Sequence, residues 1–331
     1  MKRFLGFVAA AGLVAALALA AAGWWTLSPP SRAATQVVVE IPRGATLSGV
    51  AARLAQAGVI RSAAAFALLA RFEGRGAGLR AGEYALAASL PAREILDKLA
   101  AGEVMTHRLA VPEGLRMEEV AERVEAAGLG SAADFLAAAR DPAAPAALGV
   151  EGTTLEGYLF PETYELAKGV PAADIVRLMV DHFREVWRPL EPAARARGMS
   201  MRDVVVLASL IEKETGAPEE RPLIAAVFLN RLARGMRLET DPAVIYGIAD
   251  FDGNLRRVHL EDAANPYNTY QHAGLPPGPI ANPGAAALRA VVEPAEADYL
   301  YFVARNDGTH QFSRTYAEHV NAVNHFQRNG H

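Results

Sequence analysis

The stretch from Phe4 to Leu27 most restricts what this chain can become, because it holds no charged residue and directly follows Lys2 and Arg3. As a helix it would span about 36 Å, enough to cross a hydrocarbon core of about 30 Å with some tilt. Trp24 and Trp25 fall where the far membrane interface would lie. The basic pair ahead of the segment predicts that the tip 1–3 stays in the cytoplasm and that the rest is exported. A cleaved signal peptide is the other reading, since Ala20 and Ala22 form an A-x-A-like site. The run is long for such a peptide, and a Trp pair is unusual beside a cleavage point. Both readings export the remainder. The Pro/Ser/Ala-rich segment 28–35 then reads as a linker.

Composition narrows the function. The 331 residues are 51% hydrophobic and 21% charged, which marks a folded protein. A net charge of -4 argues against a nucleic-acid binder. Cysteine is absent, so disulfides and thiolate metal sites are excluded. His259, His272, His310 and His319 show no short paired spacing, and no lysine stands out as a Schiff-base former. Neither a metal nor a cofactor is expected.

Beyond the linker the chain repeats itself. Ile41-Pro42-Arg43-Gly44 leads into Leu47, Val50 and Leu54, then Ala57-Gly58. Val111-Pro112-Glu113-Gly114 leads into Met117, Val120 and Val124, then Ala127-Gly128, at a constant offset. Each unit predicts a strand, a turn at Pro-x-Gly, a helix ended by Gly, and a second helix capped by Ser62 or Ser131. The first unit continues through a strand at Gly82-Glu83-Tyr84 into a helix over Ala92–Ala101. Strand–helix–helix–strand units of this size include glycan-binding modules. A plain spacer between membrane and enzyme fits the pattern equally well.

The chemistry concentrates further on. Ser200 and Asp203 form a capping box opening a helix through Val204–Ile211 to Glu212, Lys213, Glu214 and Thr215, with Gly216 closing it and Pro218 beyond. A nearly wholly apolar helix thus ends in two carboxylates. Both the helix C-terminus and a low-dielectric setting would raise a carboxyl pKa and suit it to acid/base work. An ordinary surface Glu paired with Lys213 explains the same residues, and the residues alone do not choose between Glu212 and Glu214. The next helix, about Glu219 to Arg234, should bury Ile224, Val227, Phe228 and Leu232 and end at Gly235. Loops dense in Pro and Gly follow, carrying Glu239-Thr240-Asp241-Pro242, Asn265-Pro266-Tyr267-Asn268-Thr269-Tyr270, Gly274–Ile280 and Asn282-Pro283-Gly284. Rigid loops with Tyr, Asn and Thr suit a sugar groove, although loops are polar for general reasons too. Tyr299–Ala304 reads as the last strand and a helix from about Tyr316 as the end of the fold.

Taken with Leu155-Glu156-Gly157-Tyr158-Leu159-Phe160-Pro161-Glu162-Thr163-Tyr164, the block Ala208–Thr215, Val227–Leu232, Val244–Gly247 and Phe312–His319, these segments resemble the YceG-like family of endolytic murein transglycosylases. The likeness runs over essentially the whole chain. It implies an α+β fold: a transmembrane helix (4–27), a small LysM-like βααβ subdomain (36–106), and a mixed α/β catalytic domain (107–331) made of a repeat-like unit (107–149) and an active-site core (150–331), not a lysozyme-like helical bundle. It further implies that Glu212 is catalytic, that MurNAc–GlcNAc bonds within nascent strands are cleaved to 1,6-anhydroMurNAc ends, and that glycan-polymerising penicillin-binding wall synthases are partners. Glu162, Glu214, Glu239, Thr240, Asp241, Tyr267, Asn268, Thr269 and Tyr270 are the expected substrate-binding residues. A lone catalytic Glu makes chemical sense if the substrate's own N-acetyl oxygen and 6-hydroxyl replace the second carboxylate of a retaining glycosidase.

Two departures stand out: Glu239 where the family would carry Gln, and Val320 where it would carry Asn. Glu239 adds a carboxylate and could tune the site, or be a tolerated change. Two rival functions remain. A hydrolytic muramidase needs a second carboxylate about 5–9 Å from Glu212, with Asp241, Glu162 or Glu239 as candidates. A silent glycan-binding scaffold for wall synthases needs none.

Overall fold

The computed structural model describes residues 2–32 and 34–328. Met1 of the expected tip, Ala33 of the expected linker, and 329–331 lie outside the described residues. Helix and strand are mixed, helix predominating, and the chain forms two compact units: Met1–His107 with Glu165–Gly169, and Arg108–Tyr164 with Val170–His331.

In the first unit, α1 (Lys2–Leu27) is a single apolar helix whose span Ala10–Leu27 is not buried against protein. β1 (Gln36–Ile41) is followed by α2 (Leu47–Gln56) and α3 (Ala63–Phe72), then β2 (Gly82–Ala87) and α4 (Ala92–Ala101). Ser62 caps α3 as expected, its hydroxyl accepting from Ala65 N at 3.2 Å. β1 and β2 pair antiparallel, Gln36 opposite Ala87 and Ile41 opposite Gly82. Alternation along β1 buries Val39 and Ile41, which join Val50, Leu54, Phe66, Tyr84, Leu86, Ile95 and Leu99 in one core. The linker is no free tether. Arg61 Nη2 donates to Pro29 O at 2.9 Å, and Ser31 N donates to Ala88 O at 3.1 Å.

The chain enters the second unit within β3 (Thr106–Ala110). There the repeat is visible in α5 (Met117–Ala126) and α6 (Ala132–Ala139), which pack together as α2 and α3 do. Gly44 and Gly114 both take left-handed backbone, φ 73° and 78°, which explains why the Pro-x-Gly turn keeps its glycine in both copies. Ser131 caps α6. After α6 the copies diverge into α7 (Ala144–Leu148) and a loop leading to β4 (Thr163–Ala167). Then come α8 (Ala172–Trp187), α9 (Glu191–Ala196), α10 (Met201–Glu214), α11 (Arg221–Ala233), α12 (Asp241–Tyr246), α13 (Arg257–Glu261) and α14 (Ala285–Val292). Every residue from Val204 to Ile211 is buried, with α9, α11, α12 and α14 packed around α10.

Three expectations need correction. α10 stops at Glu214, and its cap Thr215 is extended (φ −136°, ψ 138°), so Gly216 is not a left-handed cap. Leu232 is only half-buried on α11, because Arg231 takes the interior place beside it. Tyr299–Ala304 is not the last strand: β5 (Tyr301–Ala304) pairs antiparallel with β6 (His310–Ser313), Phe302 opposite Phe312, before α15 (Tyr316–Val323). Alternation in Gln311-Phe312-Ser313 is too short to announce a strand unaided.

Candidate active site

The capping box foreseen at Ser200 and Asp203 starts α10, and eight buried residues carry it through the core to Glu212-Lys213-Glu214. Successive residues on a helix point about 100° apart, so the three side chains reach three environments.

Glu212 is almost enclosed, its side chain 5% exposed. Oε1 accepts from Arg221 Nη2 at 2.8 Å and Oε2 from Gly284 N at 3.0 Å. Gly284 is the N-cap of α14, so a carboxylate leaving one helix C-terminus is received by the N-terminus of another. Sequence reasoning left open a carboxyl raised by its setting or one paired with Lys213; the fold gives Glu212 an ion pair with Arg221 and a backbone donor instead. Gly114 lies over the same group, since a Cβ there would stand 3.5 Å from Glu212 Cγ. Lys213 Nζ donates to Gly114 O at 3.1 Å and fixes this turn from the other side.

A second carboxylate shares the guanidinium. Arg221 Nη2 is also 3.5 Å from Glu113 Oε2, and the Glu113 side chain lies so close over Gly284 that a Cβ there would displace it. The nearest Glu113 and Glu212 oxygens are thus no more than roughly 6 Å apart, close enough for each to feel the other's charge. Burial, and then the Glu212 charge, hold the Glu113 carboxyl above the usual carboxylate range, while Arg221 opposes them. Glu113 was not among the expected site residues. The signal lay in the repeat, where the first copy has Arg43 at the equivalent place. Arg221 was missed as well, and nothing local marks it; Gly284 stood in the Asn282-Pro283-Gly284 loop without a role assigned to it.

One buried network holds these parts. Asn282 Oδ1 accepts from Gly157 N and Leu159 N, both at 2.9 Å, and its Nδ2 donates to Leu115 O at 2.9 Å and Glu156 Oε1 at 3.0 Å. Gly114 N donates to Asn282 O at 2.9 Å. Glu156 also accepts from Met117 N and, at 3.3 Å, from Tyr246 Oη. Its carboxyl is 2% exposed and is pushed up to about 7, chiefly by burial, with the Met117 N–H opposing.

Two grooves flank the end of α10. One of about 730 Å³ is lined by Lys213, Arg116, Glu119, Tyr246, Ile245 and Ile280. The Arg116 guanidinium lies 4.9 Å over the Tyr246 ring, and Tyr267 packs on Tyr246 at 4.8 Å. The other, about 460 Å³, gathers four expected residues, Glu214, Glu239, Asp241 and Tyr270, with Arg231 and His319. Burial pushes Glu214 up to about 7, and Asp241 adds to this while Thr240 and Arg231 oppose. Tyr270 Oη donates to Asp241 Oδ1 at 2.8 Å. Glu239 has left-handed backbone (φ 53°) and accepts from Arg231 Nη1 at 3.0 Å. The remaining residues fall elsewhere. Thr240 and Thr269 are buried, and the Thr269 hydroxyl both accepts from Thr240 N at 3.0 Å and donates to Thr240 O at 3.2 Å. Asn268 is fully buried, with its Nδ2 on three carbonyls and its Oδ1 on Tyr270 N, so no polar atom is left for a ligand. Glu162 is exposed and accepts from Thr163 N. Nothing in the structure explains Val320, half-buried on α15. Among the described residues no three His, Asp or Glu side chains gather as a metal-binding set.

Most of the chain matches known proteins. The model of the YceG-like family matches residues 39–325. A Bacillus subtilis (strain 168) protein named endolytic murein transglycosylase is 32% identical over 304 residues, covering 87% of this chain and 84% of that protein. A protein of the same name from Streptococcus pneumoniae serotype 2 is 29% identical over 328 residues, covering 86% of this chain but 59% of its own length. A crystal structure of a YceG-like protein from Listeria monocytogenes superposes with a TM-score of 0.60 at 33% identity, covering 87% of this chain and 99% of that one. The chain belongs to the YceG-like family.

Proposed function

We propose that this protein is an endolytic murein transglycosylase, a lyase that cuts MurNAc–GlcNAc bonds inside nascent peptidoglycan strands and leaves 1,6-anhydroMurNAc ends, limiting strand length. The named relatives support the activity. The observation that carries the assignment of chemistry to Glu212 is its setting. It is a carboxyl at the end of a buried helix, held at both oxygens, while the next two residues of that helix line grooves of about 730 and 460 Å³.

In this reading Glu212 gives a proton to the glycosidic oxygen and then, as carboxylate, takes one from the substrate's 6-hydroxyl as that oxygen closes on the anomeric carbon. Gly284 N–H and Arg221 stabilise the anion that exists between the two transfers. The Glu113 carboxyl shares the Arg221 guanidinium and so tunes how firmly it holds the Glu212 anion. The grooves bind the flanking sugars, Tyr246 and Tyr267 offering ring faces and Glu214, Asp241 and Tyr270 hydrogen bonds. The domain assignment follows: α1 spans the inner membrane once with the N-terminus in the cytoplasm, 36–106 is a LysM-like unit, and 107–331 acts in the periplasm. Glycan-polymerising penicillin-binding proteins are the proposed partners.

A hydrolytic muramidase is the second reading, and Glu113 favours it, because it sets a second carboxylate beside Glu212, as hydrolysis by paired carboxyl groups needs. Mass spectrometry of the ends released from membrane-linked, uncrosslinked glycan decides between them. Anhydro ends, one water lighter than reducing ends, support the lyase; reducing ends support the muramidase and a role for Glu113 as its second carboxylate.

A further inference from the structure

We infer that the N-terminal unit lies directly on the lipid bilayer, through an exposed apolar stripe on α3. Ala64, Leu68 and Phe72 are spaced four apart and share one helix face. Leu68 is 69% exposed and Phe72 89%, an unusual condition for large apolar side chains in a unit that buries its other core residues so fully.

The placement of α3 beside α1 says what covers this face. α3 packs on α1, and Leu27, the last residue of α1, rests against the core of the same unit. Arg61, just ahead of α3, sets its guanidinium 4.7 Å over the Trp25 ring and donates to Pro29 O at 2.9 Å. Trp24 and Trp25 are themselves exposed at the end of the apolar helix, the position of an interfacial belt. The start of α3 is therefore clamped at the level where α1 leaves the hydrocarbon. α3 is only about 13 Å long from Ala63 to Phe72, so a stripe that starts at this level has a short distance to cover to lie along the headgroup and acyl boundary. Exposed Arg61 and Arg71 stand at the two ends of the stripe, suited to anionic headgroups. This inference rests on reading α1 as a membrane span. Its consequence is a fixed collar at the membrane surface in place of a unit swinging on a flexible linker.

Because the chain has no cysteine, single spin labels can be introduced cleanly. The full-length protein is reconstituted in phosphatidylethanolamine and phosphatidylglycerol vesicles, carrying Leu68→Cys, Phe72→Cys, Leu17→Cys within α1, or Glu94→Cys on α4. Collision with dissolved oxygen is compared with collision with a water-soluble nickel chelate. The inference predicts oxygen dominance, several-fold over the Glu94 site, at 68 and 72 as well as at 17. Nickel dominance at 68 and 72 with oxygen dominance at 17 overturns it while leaving the anchor intact. Exclusion of both agents from 68 and 72 marks a protein contact and also overturns it. Nickel dominance at 17 removes the anchor, and this inference with it.

Discussion

Replacing Glu156 by Gln should make the second unit more stable at pH 8 and leave it unchanged at pH 4. In the folded chain this carboxyl titrates near 7, against an ordinary value of 4.5, with burial as the main cause. Between those values the folded chain keeps a proton that the unfolded chain has lost. Stability is therefore complete below about 4.5, falls as pH rises toward 7, and then levels off. At about 1.4 kcal/mol per pH unit the gap is worth roughly 3 kcal/mol. Gln copies the protonated form: its oxygen can accept from Met117 N and Asn282 Nδ2, and its amide can donate to Tyr246 Oη. Because the variant never ionises, it lacks the decline. Roughly 3 kcal/mol corresponds to about 6–12 °C in melting temperature for a unit of this size. Glu214 is also pushed up to about 7 and adds its own decline to both proteins, so the difference between them isolates Glu156. Calorimetry or denaturant melts across pH 4–8 measure it. A Gln variant equally stable relative to wild type at both ends, or weaker at pH 8, refutes the reasoning.

Arg221→Met should destabilise the second unit by about 3–5 kcal/mol, read from urea melts, since it leaves the enclosed Glu212 carboxylate without its countercharge. Glu113→Gln keeps the fold and, if Glu113 tunes the Glu212 anion through Arg221, moves the pH–rate profile while the released ends stay anhydro. An unchanged profile removes that role. Glu239→Gln should leave activity and its pH dependence unchanged if the carboxylate only accepts from Arg231, as an amide oxygen can; a shifted profile shows that Glu239 tunes the groove.

What the sequence disclosed, and what it did not, divides along chain distance. The repeat, the Ser62, Ser131 and Ser200 caps and the buried face of α10 depend on neighbours within a few residues, and all were legible. The groups around Glu212 come from other elements: Arg221 from the next helix across a turn, Gly284 from the start of α14, and Glu113, through Arg221, from the repeat. No periodicity links such groups before the chain folds. Asn268 shows the converse error. An Asn in a Tyr-rich loop suggests sugar binding, yet here it closes the loop on itself through the carbonyls of His259, Leu260 and Asp262. β6 was missed because four residues hold too little pattern, and its register depends on the β5 it pairs with.

The most direct test compares full-length wild type with Glu212→Gln on membrane-linked, uncrosslinked glycan strands, with circular dichroism confirming that both are folded. Mass spectrometry then counts the 1,6-anhydroMurNAc ends. Ends from wild type and a loss of at least about a hundredfold in the variant are predicted for a residue that both gives and takes the proton. Equal yields from the two proteins would contradict the account and move the search to Glu113 and Glu214.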